Sequence, residues 1–186
     1  MSAYVIYPWL CRSSASRNER TIELPGDGIV QNSISGYTLA KTIKASSSKI
    51  WPWLAQVGQG RGGFYTREWV ENIMGADIRN ADSIIPKFQS IAEGDSIRLT
   101  PDPYFDLPGQ YLVAAQIDSP YVMVFRQILP NGSTGTWTFI LKPSTRLIFR
   151  GRSSNPSFFD EISIPGYYFM DMGMLSGIKK RYAFRH

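Results

Sequence analysis

Five stretches in the second half of the chain, IRLT, QYLVAAQI, YVMVFRQI, TGTWTFILK and TRLIFRGR, alternate apolar with polar residues, and the last four are joined by DSP, PNGS and KPS. Period-two alternation marks half-buried strands, and connections this short leave no room for the helical crossover that parallel neighbours require. The segments therefore read as an antiparallel meander. Tyr121, Met123 and Phe125 share one face of it, as do Trp137, Phe139 and Leu141, and Leu147 and Phe149.

After the meander the period changes. From near Ser163, GYYFMDMGMLSGIKKRY sets Tyr168, Met172 and Leu175 on one helical stripe, with Met174 and Ile178 beside it and Pro165 at a first-turn position. Lys179, Lys180 and Arg181 fall at the C-terminal end, where the helix dipole favours cations. Gly173 and Gly177 lie one turn apart and lower helix propensity by ~1 kcal/mol each, which argues for a packing role.

Before the meander, YTLAKTIKA suits a strand beginning at Tyr37. Ser46 to Ser48 offer capping hydroxyls, and Ile50, Trp53, Leu54 and Val57 then form a helical stripe that Pro52 should kink or split. Thr66 can cap a second short helix, REWVENIM, expected to bury Trp69, Val70 and Ile73 and to stop at Gly75. Residues 11 to 36, rich in Ser, Gly, Asn and charge, read as irregular. The expected organisation is an N-terminal arm over 1–36 and a single α+β domain over 37–186, without internal repeats.

Gly58, Gly60 and Gly63 satisfy G-x-G-x-x-G, the spacing of dinucleotide-binding turns. That turn needs a strand before its first glycine and parallel βαβ units around it, whereas here a helical stripe precedes it and the sheet reads as antiparallel. The glycines are expected instead to fold a tight loop between two short helices, with Gln59 and Arg61 pointing to solvent or into the sheet.

At 186 residues the chain is long enough to bury a core without disulfides or metals. Its single cysteine, Cys11, excludes an intrachain disulfide, and its single histidine, His186, is the last residue, which argues against nucleophilic triads and zinc sites. The formal charge is +5, but Lys and Arg are scattered rather than clustered, so nucleic acid is not the expected partner. The apolar start MSAYVIYPWL lacks a basic n-region and is about half the ~20 residues that span a bilayer, so neither a signal peptide nor a membrane span is read and the cytoplasm is the expected location.

The stretch WPWLAQVGQGRGGFYTREWVENIMGADIRNADSIIP resembles one branch of the SRPBCC, or START-like, superfamily, which contains polyketide cyclases and dehydratases, lipid-transfer domains and birch pollen allergen-like proteins. LPGDGIV, EGDSIRL, TGTWTFILKP and FMDMGMLSGIKKR extend the resemblance from about Thr21 to Arg181. The hairpin KPSTR and the approach SSNPSFFDEISIPGYYF depart from the branch's pattern. The resemblance implies a helix-grip fold, in which a curved antiparallel sheet wraps a long C-terminal helix and leaves an apolar cavity between them. It implies no catalytic residue and no cofactor.

Two functions follow, a carrier of a hydrophobic small molecule or a cofactor-free cyclase, dehydratase or pericyclic enzyme. Ligand-binding candidates are Gln59, Phe64, Asn80, Trp137, Phe139, Tyr167, Tyr168, Met172 and Leu175, with Met170 and Met174 as adaptable neighbours. Tyr65, Arg61 and Asp82 are the candidates for hydrogen bonds or proton transfer, while Asp77 sits five residues from Asp82, around Arg79 and Asn80. No residue is assigned to a metal. Arg146, Arg150 and Arg152 share a strand face, solvated if that face is outside and an anion site if it is inside; Arg126 is a further polar position. A homodimer is left open. A carrier predicts a cavity lined by carbon, and an enzyme predicts a buried ionisable group meeting a second polar residue.

Overall fold

The computed structural model describes residues 14–30, 33, 35–73, 75–104, 110–128, 132–143, 145–154 and 158–183, with the backbone alone for 35 and 158–164. MSAYVIYPWL, Cys11 and His186 lie outside the described residues. In order the elements are α1 (Arg17–Thr21), β1 (Ser35–Thr42), α2 (Ser47–Ala55), α3 (Glu68–Ile73), β2 (Ser96–Arg98), β3 (Tyr111–Asp118), β4 (Val122–Ile128), β5 (Thr134–Lys142), β6 (Arg146–Ser153) and α4 (Phe158–Ala183). The strands form one sheet of order β1-β6-β5-β4-β3-β2 with every neighbouring pair antiparallel. Strands 2 to 6 are the meander that alternation predicts, and β1 closes it against the last strand. A curved antiparallel sheet, a long C-terminal helix and two short helices after the first strand make this a helix-grip α+β fold.

Register assigns each side chain to a face. Opposed residues run Tyr37, Gly151, Trp137, Phe125, Ala114 in one row and Leu39, Phe149, Phe139, Met123, Ile117 in the next. These rows share the main core with Met174, Leu175 and Ile178 of α4 and with Ile50, Trp53 and Leu54 of α2. Rings interlock at tilted or perpendicular angles, Phe139 on Phe149 at 5.1 Å and Trp137 on Phe149 at 5.5 Å. Each fully buried large apolar side chain contributes roughly 1.5–3 kcal/mol.

The helices differ from expectation in three ways. Helix α2 is one piece although Pro52 lies inside it, because residues on both sides of the proline are buried and hold it in place. Helix α4 begins at Phe158, which places Pro165 in its interior and forgoes the backbone bond to the carbonyl at position 161. Helix α3 faces the opposite way: Trp69 and Ile73 are 65% and 77% exposed, and Glu71 is 3% exposed. At six residues it makes fewer than two turns, and its orientation follows its carboxylates, Glu71 accepting from the Thr66 hydroxyl at 2.5 Å and Glu68 accepting from the Asn80 amide.

Residues 14–30 cross the convex face. Helix α1 opens with a capping box in which Glu19 N–H donates to Ser16 Oγ at 3.2 Å and Ser16 N–H donates to Glu19 Oε2 at 2.7 Å. Ala15 and Leu24 pack on Ala40 and Ile148 of the sheet. The segment read as an irregular arm thus carries a capped helix and, at Asp27–Ile29, a 3₁₀ turn. It also decides the fate of the arginine face. Arg150 is only 6% exposed, and its guanidinium donates to Asp27 Oδ2 at 2.5 Å, to Ile22 O at 3.0 Å, to Glu19 O at 2.7 Å and to Thr38 Oγ1 at 3.0 Å. Arg152 reaches Asp27 Oδ1 at 3.1 Å, and Arg146 holds Glu19 through two bonds of 2.9 Å. The Arg146 hydrogen bond holds the Glu19 carboxyl at about 2. The face is outside, yet neither solvated nor open to a ligand, because the arm covers it. Arg126, further along the same face, is exposed.

Asp27→Ala would leave Arg150 and Arg152 without their shared carboxylate under the arm. The expected loss is about 3–5 kcal/mol of unfolding free energy, read as a lower urea midpoint.

Candidate functional site

The glycine loop joins α2 to α3. Gly58 and Gly63 exchange both backbone bonds, at 3.0 and 3.1 Å, Gln59 N–H donates to Arg98 O at 2.8 Å, Arg61 N–H to Gly58 O at 3.1 Å and Gly62 N–H to Gln56 O at 2.6 Å. These are the amides a phosphate would require, and the loop closes on itself with them. Gly63 also has φ 72°, and a Cβ there would lie 2.5 Å from Asn80 Oδ1. Glycine is required here for backbone closure, and the amides of Gly58, Gln59, Arg61, Gly62 and Gly63 are spent on protein carbonyls rather than turned to a phosphate.

The polar side chains of this loop hold backbone. Tyr65 OH donates to Trp53 O at 2.8 Å, and burial pushes that hydroxyl well above its ordinary range. Asn80 Oδ1 accepts from Tyr65 N–H at 2.6 Å and Asn80 Nδ2 donates to Thr66 O at 2.9 Å. Arg61 donates to Ala55 O at 2.8 Å and to Phe88 O at 3.3 Å, its guanidinium 4.6 Å above the Phe88 ring, and burial lowers its pKa. Gln59 Nε2 donates to Asp77 O at 3.0 Å. Asp82 lies apart from them with a side chain 92% exposed, bonded to Arg181 at 3.1 Å; Asp77 and Arg79 are an exposed pair at 3.8 Å. Tyr65 and Arg61 come together, but Asp82 does not join them.

The loop in turn seats α4. A Cβ on Gly177 would fall 1.9 Å from Tyr65 O, whereas one on Gly173 would meet the Thr66 side chain at an ordinary 3.7 Å. Arg181, one turn beyond Gly177, stacks its guanidinium 4.9 Å from the Tyr65 ring.

Between helix and sheet, Phe139, Tyr168 and Leu175 are buried in the core, Phe64 stands edge-on to Trp137 at 6.5 Å, and Tyr167 is exposed. Trp137, Tyr37 and Met172 are half-buried. Tyr37 and Trp137 oppose the same residue, Gly151, which puts no side chain between them. Tyr37 also packs on Tyr168, ring centroids 5.8 Å apart.

Two carboxyls that the sequence reading passed over lie here. Asp171, on α4, is 4% exposed and accepts a hydrogen bond from the Tyr37 hydroxyl of β1. Burial pushes its carboxyl up to about 7, the Tyr37 bond opposing and the charge of Glu71 adding to the rise. Burial likewise raises Glu71, with the Thr66 bond opposing and Glu68 adding, and it raises the Tyr37 and Tyr104 hydroxyls, to which Asp171 and Glu71 respectively contribute. Asp171 had a legible signal, a charged residue between Tyr168 and Leu175 on the apolar stripe. Glu71 had none, because its helix was assigned the opposite face.

Among the described residues no group of three or more His, Cys, Asp or Glu side chains is placed to hold a metal, and no helix is long and apolar enough to cross a membrane. No family model matches the chain, and none of the curated proteins is detectably similar to it. Among solved structures it is similar to a ginseng major latex-like protein from Panax ginseng (14% identity, 78% of this chain and 94% of that chain, TM-score 0.46). It is also similar to a protein from Nitrosomonas europaea (7%, 88% and 100%, TM-score 0.49) and to the Aha1 dimer from Colwellia psychrerythraea (12%, 76% and 91%, TM-score 0.42). At these identities and scores the likenesses bear on neither ligand nor chemistry. The architecture itself is the helix-grip arrangement that the resemblance implies.

Gly177→Ala is expected to cost about 1–3 kcal/mol or more, since the methyl collides with backbone, whereas Gly173→Ala should be neutral or stabilising by up to ~1 kcal/mol; urea titration of the pair separates the two. A second expectation concerns pH. Between about 4 and 7 the folded state keeps a proton on Asp171 that the unfolded chain has lost, so this group lowers stability as pH rises through that window. The total is on the order of 4 kcal/mol. Wild type minus Asp171→Asn, by urea titration from pH 4 to 8, should show that slope.

Proposed function

We propose that this chain binds a hydrophobic small molecule between the concave face of the sheet and α4, as a carrier or sequestering protein. The observation that supports this is the half-burial of Tyr37 and Trp137 on one sheet row, with Met172 on α4, beside a next row in which Leu39, Phe149, Phe139 and Met123 are fully buried. Large apolar groups kept in contact with solvent at one end of a sealed core are what a ligand entrance requires. Gly151 adds no side chain between the two rings, and the Phe149 ring packs against both.

A second reading, a cofactor-free cyclase or dehydratase, draws support from Asp171. A buried carboxyl that titrates near 7 beside a tyrosine and a second carboxyl is suited to take or give a proton at neutral pH. In this reading Asp171 accepts a proton from the substrate, Glu71 donates one, and Tyr37 orients Asp171 rather than reacting. Its test is turnover of poly-β-ketone substrates, lost in Asp171→Asn with ligand binding retained.

The binding reading is tested at Gly151. A Cβ there makes ordinary contact with Phe149 at 3.7 Å and Tyr37 at 3.8 Å, so Gly151→Leu, its fold checked by circular dichroism, projects a larger side chain into the space that Tyr37 and Trp137 border. Wild type is expected to enhance the fluorescence of the neutral dye N-phenyl-1-naphthylamine saturably, and Gly151→Leu to weaken that binding tenfold or more, roughly the worth of filling a small apolar site. Unchanged dye binding in a folded Gly151→Leu would place the site elsewhere.

A further inference from the structure

We infer that Asp171 and Glu71, with the rings of Tyr37 and Tyr168 beside them, form a binding site for the protonated amine of an apolar compound. This rests on the ligand-binding reading above and names the chemistry of the ligand's polar end.

The two faces of the sheet treat buried carboxylates differently. On the convex side Glu19 is paired with Arg146, and Asp27 with Arg150 and Arg152. On the concave side Asp171 and Glu71 are buried as deeply, yet among the described residues neither has a Lys or Arg partner. Their hydrogen bonds come from uncharged hydroxyls, Tyr37 to Asp171 and Thr66 to Glu71 Oε2. Glu71 Oε1 is buried with no hydrogen-bond partner. A buried acceptor without a donor is unfavourable, and the charge of Glu71 adds to the cost of ionising Asp171. The chain carries a net charge of +5, so cations are plentiful, but among the described residues none is paired with either carboxyl.

A ligand can supply what the protein omits. An ammonium group donates to Glu71 Oε1, offsets the mutual repulsion of the two carboxyls and lies against tyrosine faces that attract cations. A carboxylate ligand would add a third negative charge. An alcohol would satisfy the orphan acceptor without relieving the charge. The raised protonation of both carboxyls fits a site whose counterion is brought by the ligand.

The test displaces N-phenyl-1-naphthylamine from the full chain at pH 7.5 with dodecylamine, dodecanol and dodecanoate, which share one alkyl chain and differ in head group. Dodecylamine is expected to displace the dye at a concentration about tenfold or more below dodecanol, with dodecanoate weakest. Asp171→Asn and Glu71→Gln, with fold checked by circular dichroism, should each reduce the amine's advantage over the alcohol to about threefold or less. Dye binding without amine preference, dodecanoate displacing best, or an amine preference that survives in both variants would overturn the inference while leaving the ligand site standing. No dye binding by wild type would remove the ligand site and this inference with it. If Glu71→Gln does not fold, the order of the three ligands on wild type and on Asp171→Asn decides.

Discussion

Helix α4 crosses the glycine loop in backbone contact, with no room for a Cβ between Gly177 and the Tyr65 carbonyl. Much else depends on that approach. It sets the distance of the helix from the sheet at its C-terminal half, where Met174, Leu175 and Ile178 complete the core. The loop can present that carbonyl only because Gly58 and Gly63 close it, Asn80 holds the Tyr65 amide and Tyr65 itself is anchored to α2 through Trp53 O. Polar residues that look like site chemistry in the sequence are therefore the bracket that positions the helix. Their side chains satisfy backbone groups that would otherwise be buried and unpaired.

The other half of α4 meets the sheet through a different kind of contact. Asp171 receives the Tyr37 hydroxyl across the gap, and Glu71 enters from α3 because that short helix turns its carboxylates inward. An apolar wall with a polar spot at one end follows from this division: tight packing at one end of the helix, hydrogen-bonded acids and half-buried rings at the other. The convex face of the same sheet is closed by the N-terminal segment, whose Glu19 pairs with Arg146 and whose Asp27 is shared by Arg150 and Arg152. Those paired charges are structural, whereas among the described residues Asp171 and Glu71 have no Lys or Arg partner.

The strands were legible because alternation is a local property that one side of a sheet imposes on every residue. β3 to β6 lie where QYLVAAQI, YVMVFRQI, TGTWTFILK and TRLIFRGR place them, within a residue or two. The stripe of Tyr168, Leu175 and Ile178 was legible for the same reason. Trp69 and Ile73 misled because a six-residue helix has too few turns for its stripe to outweigh two hydrogen-bonded carboxylates. Arg150 was placed on its face correctly, but its environment was not, since a segment more than a hundred residues away in sequence covers it.

By itself, then, the sequence determined which segments are strands and which a long helix, that the sheet is antiparallel, and that the glycine motif lacks the preceding strand and parallel units of a dinucleotide-binding turn. These follow from periodicity and backbone stereochemistry, which act over a few neighbouring residues. Only the tertiary structure decided which polar groups face the interior. Whether Asp171, Glu71 or Asp82 is buried depends on what packs over each from distant parts of the chain, and the cost of burying a charge is set by that surrounding shell.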